Sequence, residues 1–502
     1  MRLLEMLLFF LSVCLLVLLF VNNPRIRKST LLVTSGASFI FLVVHWLVEG
    51  YRIQLLFLYG FIILMFITSL IGMFIKPRVV RNVSRMQRVL GRLFIGIGLM
   101  ATGCLLYVFP VFNLPVPTGE LKVGTQAFHF IDSSREETFG ETAKGKRELM
   151  VQVWYPAQAG TGHYTSFIPD TEILRYMAGN YGLPGFTFQH LQYVSNHANL
   201  EAKVSSKQKA YPLIIASPGF GSSRFLHTTQ AEHLASHGYI VAVIDHTYNT
   251  FATEFPDGRI TTDTTNDLFS PDQDYRESRS IRDKLGEVLT KDVIFTLDQF
   301  ELIQSGQIPS NLKGRLDLGH IGVFGHSIGG ATAYDASYDP RIAVGIDLDG
   351  GLYRLSDREG LQKPFLFINS ESYFEKLKMV MENRVYTDEE LKRMGSTREW
   401  EDQVTEDKKL ELDRMRLAAD EGGQILYIEN TEHLNFTDVQ FISPIFNLLG
   451  ITGKIAPQRA NFAINAYMLD FFDLYLKHQN GTLMKGPNSS FSEVNFVKIG
   501  EL

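Results

Sequence analysis

Four apolar stretches lie within the first 112 residues of this 502-residue chain, at about 2–21, 31–48, 53–75 and 90–112. A stretch of roughly 20 apolar residues is long enough to cross a bilayer as a helix. Because a backbone inside lipid must satisfy its own hydrogen bonds, helices are the structure that such stretches adopt. The first stretch does not show a basic start followed by the small-residue cleavage site of a signal peptide, and further apolar stretches follow it, so it is interpreted as a span. The sequence therefore predicts a four-helix transmembrane region over residues 1–112.

Charge divides the chain at the same point. Residues 1–112 hold eleven Lys and Arg against two acidic residues, a formal net charge of +9, whereas the whole chain carries −6 and the remainder therefore −15. Six of these cations lie in the connection near 76–92. If all four stretches span, Arg25, Arg27 and Lys28 are expected on the same side of the membrane as that connection. Cytoplasmic loops are rich in Lys and Arg, so we expect a multi-pass protein of the cell membrane with both termini outside. An acidic C-terminal part is a poor partner for nucleic acid, whose phosphates bind cations.

Residues 113–123 begin with NLPVPTG and predict a linker rich in Pro and Gly. Over residues 124–502, short apolar runs alternate with helical patterns, which predicts a mostly parallel sheet with helices on both faces. The predicted strands are Leu149–Tyr155, Pro212–Ser217, Tyr239–Asp245, Ile321–Phe324, Ile342–Leu348, Pro364–Asn369 and Gln424–Glu429. The predicted helices lie near 227–237, 276–305, 328–338 and 457–477. The highly charged stretch 372–422 predicts a helical insertion, either a solvated hairpin or a lid that shapes a pocket at the edge of the sheet.

The most specific local pattern is Ile321–Gly330 (IGVFGHSIGG), an apolar strand, a Gly-x-Ser-x-Gly turn and the start of a small-residue helix. In this arrangement the serine lies at a sharp, strained turn with its hydroxyl exposed. The turn crowds the positions two before and two after the serine, and these are Gly325 and Gly329. The pattern predicts an α/β-hydrolase fold with Ser327 as its nucleophile.

A serine hydroxyl needs a base to remove its proton, and in this fold the partners follow in the order serine, acid, histidine. His433 comes directly after the last predicted strand and is the predicted base. Position alone leaves the acid open between Asp349, at the end of the strand after the serine helix, and Glu371, after the next strand. Asp347 points to the same face as Asp349 but lies inside its strand, where it is less able to reach the site.

Two backbone N–H groups are needed to stabilise the negative oxygen that develops during ester cleavage. One is expected from Ile328, directly after the nucleophile, and the other from the loop after an early strand. That loop is Ser217-Pro-Gly-Phe-Gly221, and because Pro218 has no N–H, Phe220 is the predicted donor.

Other polar pairs predict less. His233 and His237 are four residues apart on a predicted helix, but no third ligand accompanies them, so we expect solvent-facing histidines rather than a zinc site. Asp245 and His246 end a strand on the predicted active face, where they either line the pocket or simply turn the chain, and we expect the turn. The sequence predicts neither a metal site nor a bound cofactor.

Several motifs in order resemble the plasma-type platelet-activating factor acetylhydrolases (group VII phospholipases A2). The resemblance covers most of residues 117–440 and is carried by Pro117–Gly119, Val153–Pro156, Ser217–Arg224, Leu234–Ala242, Gly325–Gly330, Gly345–Asp349, Phe367–Glu371 and His433–Asp438. It implies that Asp349 is the acid and that the substrate is a phospholipid with a short or oxidised acyl chain, cleaved without calcium. Pro218 replaces the histidine of the family's usual loop, and the membrane helices and the 372–422 insertion also depart from the family pattern.

The combined prediction is a serine carboxylic-ester hydrolase that acts on a lipid through an acyl-enzyme, a bacterial-type family member with a multi-pass membrane region. Two alternatives stay open. One is a general carboxylesterase, of dienelactone-hydrolase or polyester-hydrolase type, acting on a small or polymeric ester. The other is a membrane sensor whose hydrolase domain only binds a ligand.

Overall fold

The structure, a computed structural model, describes residues 2–74, 84–140, 145–270, 273–355 and 358–498. Its N-terminal part contains four apolar helices, α1 (Leu3–Leu18), α2 (Pro24–Val48), α3 (Leu56–Phe74) and α4 (Arg85–Val108). Among the described residues, three segments are long and apolar enough to cross a membrane, namely Ile26–Val48, Ile53–Phe74 and Arg85–Val108. Helix α1, with 16 residues, is shorter than these. Four spans therefore stay a prediction.

The four helices form a bundle with two distinct ends. At one end, the start of α1 meets the end of α2, where Arg2 Nε lies 3.6 Å from a carboxylate oxygen of Glu49. At the other end, Arg92 donates a hydrogen bond to the carbonyl of Leu19, between α1 and α4. The basic residues Arg27 and Lys28 lie near this second end, at the start of α2. The side chain of Arg25, and all of Lys76, Arg78 and Arg81, lie outside the described residues.

Among the described residues of the C-terminal part, eleven strands form one sheet. Their order is β13 (Val494–Phe496), β12 (Gln424–Ile428), β11 (Phe365–Ser370), β10 (Ile342–Leu348), β9 (Leu316–His326), β5 (Tyr211–Ser217), β6 (Ile240–Asp245), β2 (Lys146–Ala157), β1 (Lys122–Glu136), β4 (Ser195–Leu200) and β3 (His163–Ser166). The strands from β12 to β6 are parallel, whereas β2 is antiparallel to both of its neighbours. A separate hairpin pairs β7 (Ala252–Glu254) with β8 (Ile260–Thr262).

Helices cover both faces of this sheet. They are α5 (Leu174–Asn180), α6 (Thr228–Ser236), α7 (Tyr275–Ser305), α8 (Ile328–Ala336), α9 (Glu371–Met381), α10 (Asp388–Met394), α11 (Arg398–Asp420), α12 (Val439–Ile442), α13 (Ile445–Leu448) and α14 (Pro457–Leu476). Successive strand residues point to opposite faces. In β5, Leu213 and Ile215 join the core that includes α7, whereas Ile214 and Ala216 join the core that includes α6 and α14. This layered arrangement confirms the predicted α/β-hydrolase fold.

The seven predicted strands and four predicted helices are all present, with boundaries shifted by a few residues at most of their ends. Strands β1, β3, β4 and β13 were not predicted. The longest of them, β1, has an irregular burial pattern and ends in charged residues, so it lacks the continuous apolar run of the central strands. The insertion consists of α9, α10 and α11, and Leu412, Met415 and Ala418 of α11 are buried in the sheet core. It is therefore not a fully solvated hairpin, and a lid function stays a prediction.

The segment predicted as a linker packs against the hydrolase fold. Leu114 is 2% exposed and belongs to an apolar cluster with Phe167 and Phe441. The N–H of Gly119 donates to Ser236 Oγ at 3.1 Å, and a side chain at Gly119 would collide with the Ser236 backbone at 2.3 Å. The chain that leaves the bundle is thus fixed to the hydrolase from its first residues.

Candidate active site

Ser327 lies at the turn between β9 and α8 with φ 57° and ψ −126°. A non-glycine residue held at such positive φ costs about 1–3 kcal/mol, and such strain is concentrated at functional sites. A Cβ atom at Gly325 would lie 1.9 Å from the carbonyl oxygen of Gly329, and one at Gly329 would lie 2.0 Å from that of Ser217. Because neither position has room for a side chain, the two glycines permit the turn that exposes Ser327.

His433 is held by a buried carboxylate. It begins the short 3₁₀ helix His433–Phe436 that follows β12, and its Nδ1 lies 2.6 Å from Oδ2 of Asp349. The Asp349 side chain is 2% exposed, whereas that of His433 is 47% exposed. A carboxylate that accepts from Nδ1–H selects the tautomer in which Nε2 is free to accept a proton. The imidazole therefore has the orientation that a general base requires.

The residue before the nucleophile connects the histidine to the serine turn. His326 Nε2 lies 3.0 Å from the carbonyl oxygen of His433, and the two rings are 4.5 Å apart. Burial, with His433 and His227 nearby, holds the pKa of His326 well below its usual value. A neutral His326 can donate to the His433 carbonyl without adding charge to the site. The structure thus brings Ser327, Asp349 and His433 to one edge of the sheet.

Of the three acids that the sequence offered, Asp349 is the one that contacts the imidazole. Glu371 instead accepts a hydrogen bond from the N–H of Asn430 at 2.8 Å. Asp347 accepts from the N–H of Gly350 at 2.7 Å, and burial raises its pKa well above the usual value. A protonated Asp347 supports the loop but cannot orient an imidazolium by charge.

Strand β11 fixes the Asp349 carboxylate. The N–H of Asp349 donates to the carbonyl of Ile368 at 2.9 Å, and Asp349 Oδ1 accepts from the N–H of Ser370 at 2.5 Å. The residue itself has φ 56°, a conformation for which Asp is better suited than bulky residues. With one oxygen held by Ser370, the other is left to His433.

The two predicted oxyanion donors lie on either side of the serine turn. A Cβ at Gly219 would lie 3.2 Å from Ser327 Cβ, so the loop after β5 packs directly against the nucleophile. Ile328 is the first residue of α8, where helix N–H groups have no partner within the helix. Within the described ranges, the backbone N–H groups of Phe220 and Ile328 have no acceptor. Both donors are therefore available to an oxyanion.

A second, buried Ser–His–Asp arrangement lies behind this loop. Ser217 Oγ is 2.8 Å from His246 Nε2, and His246 Nδ1 is 2.9 Å from Asp292 Oδ2. Arg147 contacts both Asp292 oxygens, at 2.6 and 3.1 Å. The expectation that Asp245 and His246 merely turn the chain was wrong, because His246 is the centre of this network and Asp245 pairs with Arg224.

This second arrangement cannot meet a substrate as it stands. Ser217, His246 and Asp292 are each at most 1% exposed, and Ser217 is the last residue of a regular strand rather than a strained turn. The network instead fixes the end of β5, from which the Pro218–Phe220 loop emerges. No local sequence motif predicts this network, because its members come from two strand ends and from the middle of α7.

The histidine pair on α6 also differs from expectation. The rings of His233 and His237 are 4.6 Å apart, but His233 is only 7% exposed, so the prediction of two solvent-facing histidines was wrong. Burial lowers the pKa of His233 to about 3. Within the part of the chain that the structure describes, no group of three or more His, Cys, Asp or Glu side chains is arranged to hold a metal ion.

Comparison with known proteins gives a consistent picture. The family model described as platelet-activating factor acetylhydrolase, isoform II, matches residues 107–490. The platelet-activating factor acetylhydrolase of Canis lupus familiaris is 27% identical over 386 residues, which cover 70% of this chain and 79% of that protein. A probable 1-alkyl-2-acetylglycerophosphocholine esterase of Arthroderma benhamiae is 25% identical over 410 residues, covering 77% and 94% of the two chains.

Among solved structures, the chain resembles a ferulic acid esterase from Streptomyces cinnamoneus. The TM-score is 0.57 at 27% identity, and the match covers 77% of this chain and 99% of the esterase. The family match begins at residue 107, near the end of α4, so the apolar helical bundle precedes the matched hydrolase region.

Proposed function

Because the chain belongs to the platelet-activating factor acetylhydrolase family, we propose that Ser327, His433 and Asp349 form the catalytic triad of its ester hydrolysis. The protein is a carboxylic ester hydrolase with an α/β-hydrolase fold. The observation that carries the assignment of the triad is the 2.6 Å contact between His433 and the buried Asp349, beside the strained turn of Ser327.

In the first half of the reaction, Ser327 Oγ attacks the ester carbonyl carbon while His433 Nε2 takes the hydroxyl proton. The carbonyl oxygen becomes negative and accepts hydrogen bonds from the N–H groups of Phe220 and Ile328. Each such donor contributes about 3–4 kcal/mol of transition-state stabilisation. Asp349 stabilises the imidazolium that forms. Collapse of the intermediate breaks the ester bond, and His433 returns the proton to the departing alcohol.

In the second half, water attacks the acyl-enzyme and gives its proton to His433. The same two N–H groups stabilise the second oxyanion. Its collapse releases the carboxylic acid and restores the Ser327 hydroxyl, so neither a metal nor a cofactor takes part.

We propose a glycerophospholipid with a short acyl chain as the substrate. The names of the two relatives, an acetylhydrolase and a 1-alkyl-2-acetylglycerophosphocholine esterase, support this class. The membrane bundle supports it as well, because it keeps the site close to lipid. The solved ferulic acid esterase favours a second candidate, a simple ester of a small acid or alcohol. Acyl-chain profiling of the purified full-length protein, with acetyl-phospholipids and aryl esters side by side, separates the two.

Labelling with a fluorophosphonate tests the nucleophile. The probe forms a covalent bond with an activated serine, so we expect the parent protein to be labelled and Ser327→Ala to lose the label. Ser217→Ala is the matched control, because Ser217 also contacts a His–Asp pair but is 1% exposed. The assignment would be overturned if Ser327→Ala were still labelled. It would also be overturned if Ser217→Ala lost the label while Ser327→Ala kept it.

We propose further that the protein spans the cell membrane several times and that the hydrolase domain lies on the extracytoplasmic side. The hydrolase domain contacts the end of the bundle opposite Arg27, Lys28 and Arg92, and such cations concentrate on the cytoplasmic side. A reporter fused after Leu502, which itself lies outside the described residues, tests the orientation. Activity of a reporter that works only in the cytoplasm would reverse it.

A further inference from the structure

A buried polar cluster closes the hydrolase end of the membrane bundle. Arg52 Nη1 lies 2.7 Å from Glu5 Oε1, and both side chains are fully buried. Arg52 Nη2 also donates to the carbonyl of Phe109 at 2.5 Å, and Arg2 pairs with Glu5 at 2.9 Å. The start of α1, the loop between α2 and α3, and the end of α4 are thereby tied together. Buried ion pairs and hydrogen bonds therefore fix the helix ends at this end of the bundle relative to one another.

This end of the bundle carries a set of contacts to the hydrolase, which we call the junction. Gln54 Nε2 donates to the carbonyl of Thr187 at 3.2 Å. The Tyr193 hydroxyl donates to the carbonyl of Tyr51 at 2.7 Å, and the Arg2 guanidinium lies 4.8 Å from the centre of the Tyr193 ring. These contacts come from residues of the bundle end and from one hydrolase segment, 187–193.

Aromatic packing extends the junction to the end of α4. Phe109 lies edge-on to Phe188 and His190, with ring centres 6.4 and 5.7 Å apart. From a second hydrolase segment, Ser443 Oγ donates to the carbonyl of Val108, the last residue of α4, at 2.5 Å. Two separate hydrolase segments therefore hold the last residues of a membrane helix.

Each of these two segments leads to one side of the active site. The 187–193 segment follows α5, whose last residue Asn180 reaches within 3.7 Å of a Cβ position at Gly221, next to the donor Phe220. The segment that ends at Ser443 begins at His433, and two short helical turns occupy eight of its residues. At about 1.5–2 Å per helical residue, His433 lies within roughly 25 Å of the bundle end.

Between Asn180 and the junction lie three exposed apolar side chains, which we call the apolar rim: Tyr181, Leu183 and Phe186. They are 49%, 40% and 47% exposed. The Tyr181 ring packs 6.1 Å from Phe188, which in turn packs on Phe109. The apolar rim is thus continuous with the place where α4 leaves the membrane, and amphipathic aromatic residues prefer that interfacial layer.

We propose that the junction holds the apolar rim in the interfacial layer of the adjacent leaflet, so that the active site takes its ester from that leaflet. The origin of the ester in the leaflet rests on the proposed function, whereas the placement of the apolar rim does not. A lipid that enters from the leaflet moves laterally past the apolar rim. Only its ester-bearing part has to leave the bilayer to reach the active site. The bundle then orients the enzyme as well as anchoring it.

The first experiment measures the placement of the rim without using activity. In the full chain carrying Cys14→Ser and Cys104→Ser, Phe186→Cys is labelled with an environment-sensitive fluorophore and reconstituted in phosphatidylcholine vesicles. Lipid-borne spin labels are expected to quench it. Ser305→Cys is the control, because Ser305 follows Gln304, whose side chain accepts a hydrogen bond from the N–H of Leu316 at 3.0 Å. Leu316 begins β9, about 30 Å along that strand from Ser327. Equal quenching at the two positions, or none at residue 186, would overturn the proposal.

The second experiment loosens the junction while leaving the Glu5–Arg52 pair intact. Gln54→Leu with Tyr193→Phe removes two hydrogen bonds, each worth about threefold in an equilibrium constant. We expect the rate on a 2-acetyl-phospholipid in vesicles, divided by the rate on a soluble aryl ester, to fall about tenfold. Gln126 lies on β1 and donates a hydrogen bond to Ser310, and neither residue belongs to the junction, so Gln126→Leu should leave the ratio unchanged.

The outcomes separate the two proposals. An unchanged ratio and unchanged quenching in the double variant would refute the role of the junction. If the parent protein cleaves neither ester, the proposed function fails, while the quenching result still decides whether the rim lies in the leaflet.

Discussion

The buried network behind the oxyanion loop gives a sharp stability prediction, for the change Asp292→Asn. Asp292 is fully buried and holds Arg147, which is itself 1% exposed, through two hydrogen bonds. Burial opposes ionisation of Asp292, but Arg147 and His246 outweigh it and hold the pKa below its usual value. The variant leaves Arg147 with Glu137 as its carboxylate partner, at 2.9 Å.

Breaking a buried ion pair by removing one charge costs about 3–5 kcal/mol. Asparagine has nearly the same shape and keeps one acceptor oxygen, so we expect a loss near the lower end, about 3 kcal/mol. Because the carboxyl's folded-state pKa is depressed, its contribution is complete above the unfolded pKa. The contribution is lost as the pH falls through the folded value. The difference between parent and variant should therefore shrink below about pH 4.

Urea unfolding of the full-length protein in mild detergent measures this, with the fluorescence of Trp154, buried in the core, as one reporter. Asp298→Asn is the matched control on the same helix. Asp298 is 51% exposed and pairs with Arg341, which is 29% exposed, so its loss should cost about 0–1 kcal/mol. A midpoint for Asp292→Asn no lower than that of Asp298→Asn would refute the reasoning.

Three further changes test other parts of the fold and the site. Burial raises the pKa of Asp438 to about 7, so the folded state keeps a proton that the unfolded state releases. The stability of the fold should therefore fall as the pH rises from about 4 to 7. Asp438→Asn should flatten this pH dependence of the unfolding temperature. Gly329→Ala places a Cβ 2.0 Å from a backbone carbonyl oxygen and should lower the unfolding temperature and abolish activity, whereas Gly179→Ala, with no atom within 4 Å, should do neither. Asp349→Asn should reduce kcat on an aryl ester by about 10²–10⁴-fold, because the orienting charge at His433 is lost; a reduction below tenfold would argue against Asp349 as the acid.

The elements that the sequence determined by itself are those whose sequence patterns lie within one continuous stretch of the chain. The central strands are continuous apolar runs because helices cover both of their faces, and periodicity alone reveals them. The turn of Ser327 is equally local, since Gly325 and Gly329 lie two residues to either side and collide with backbone if enlarged. Strand β1 escaped prediction because its burial pattern is irregular and its end is charged.

Tertiary structure decided which distant side chains meet. Asp349 and Glu371 both follow parallel strands at the same edge, and sequence position left them equal until the family resemblance favoured Asp349. In the fold, β11 directs the Asp349 carboxylate to His433, 84 residues away. Local sequence patterns likewise do not predict how the hydrolase packs onto the N-terminal helical bundle. Such contacts depend on strand register and side-chain packing between remote segments, which no short stretch of sequence encodes.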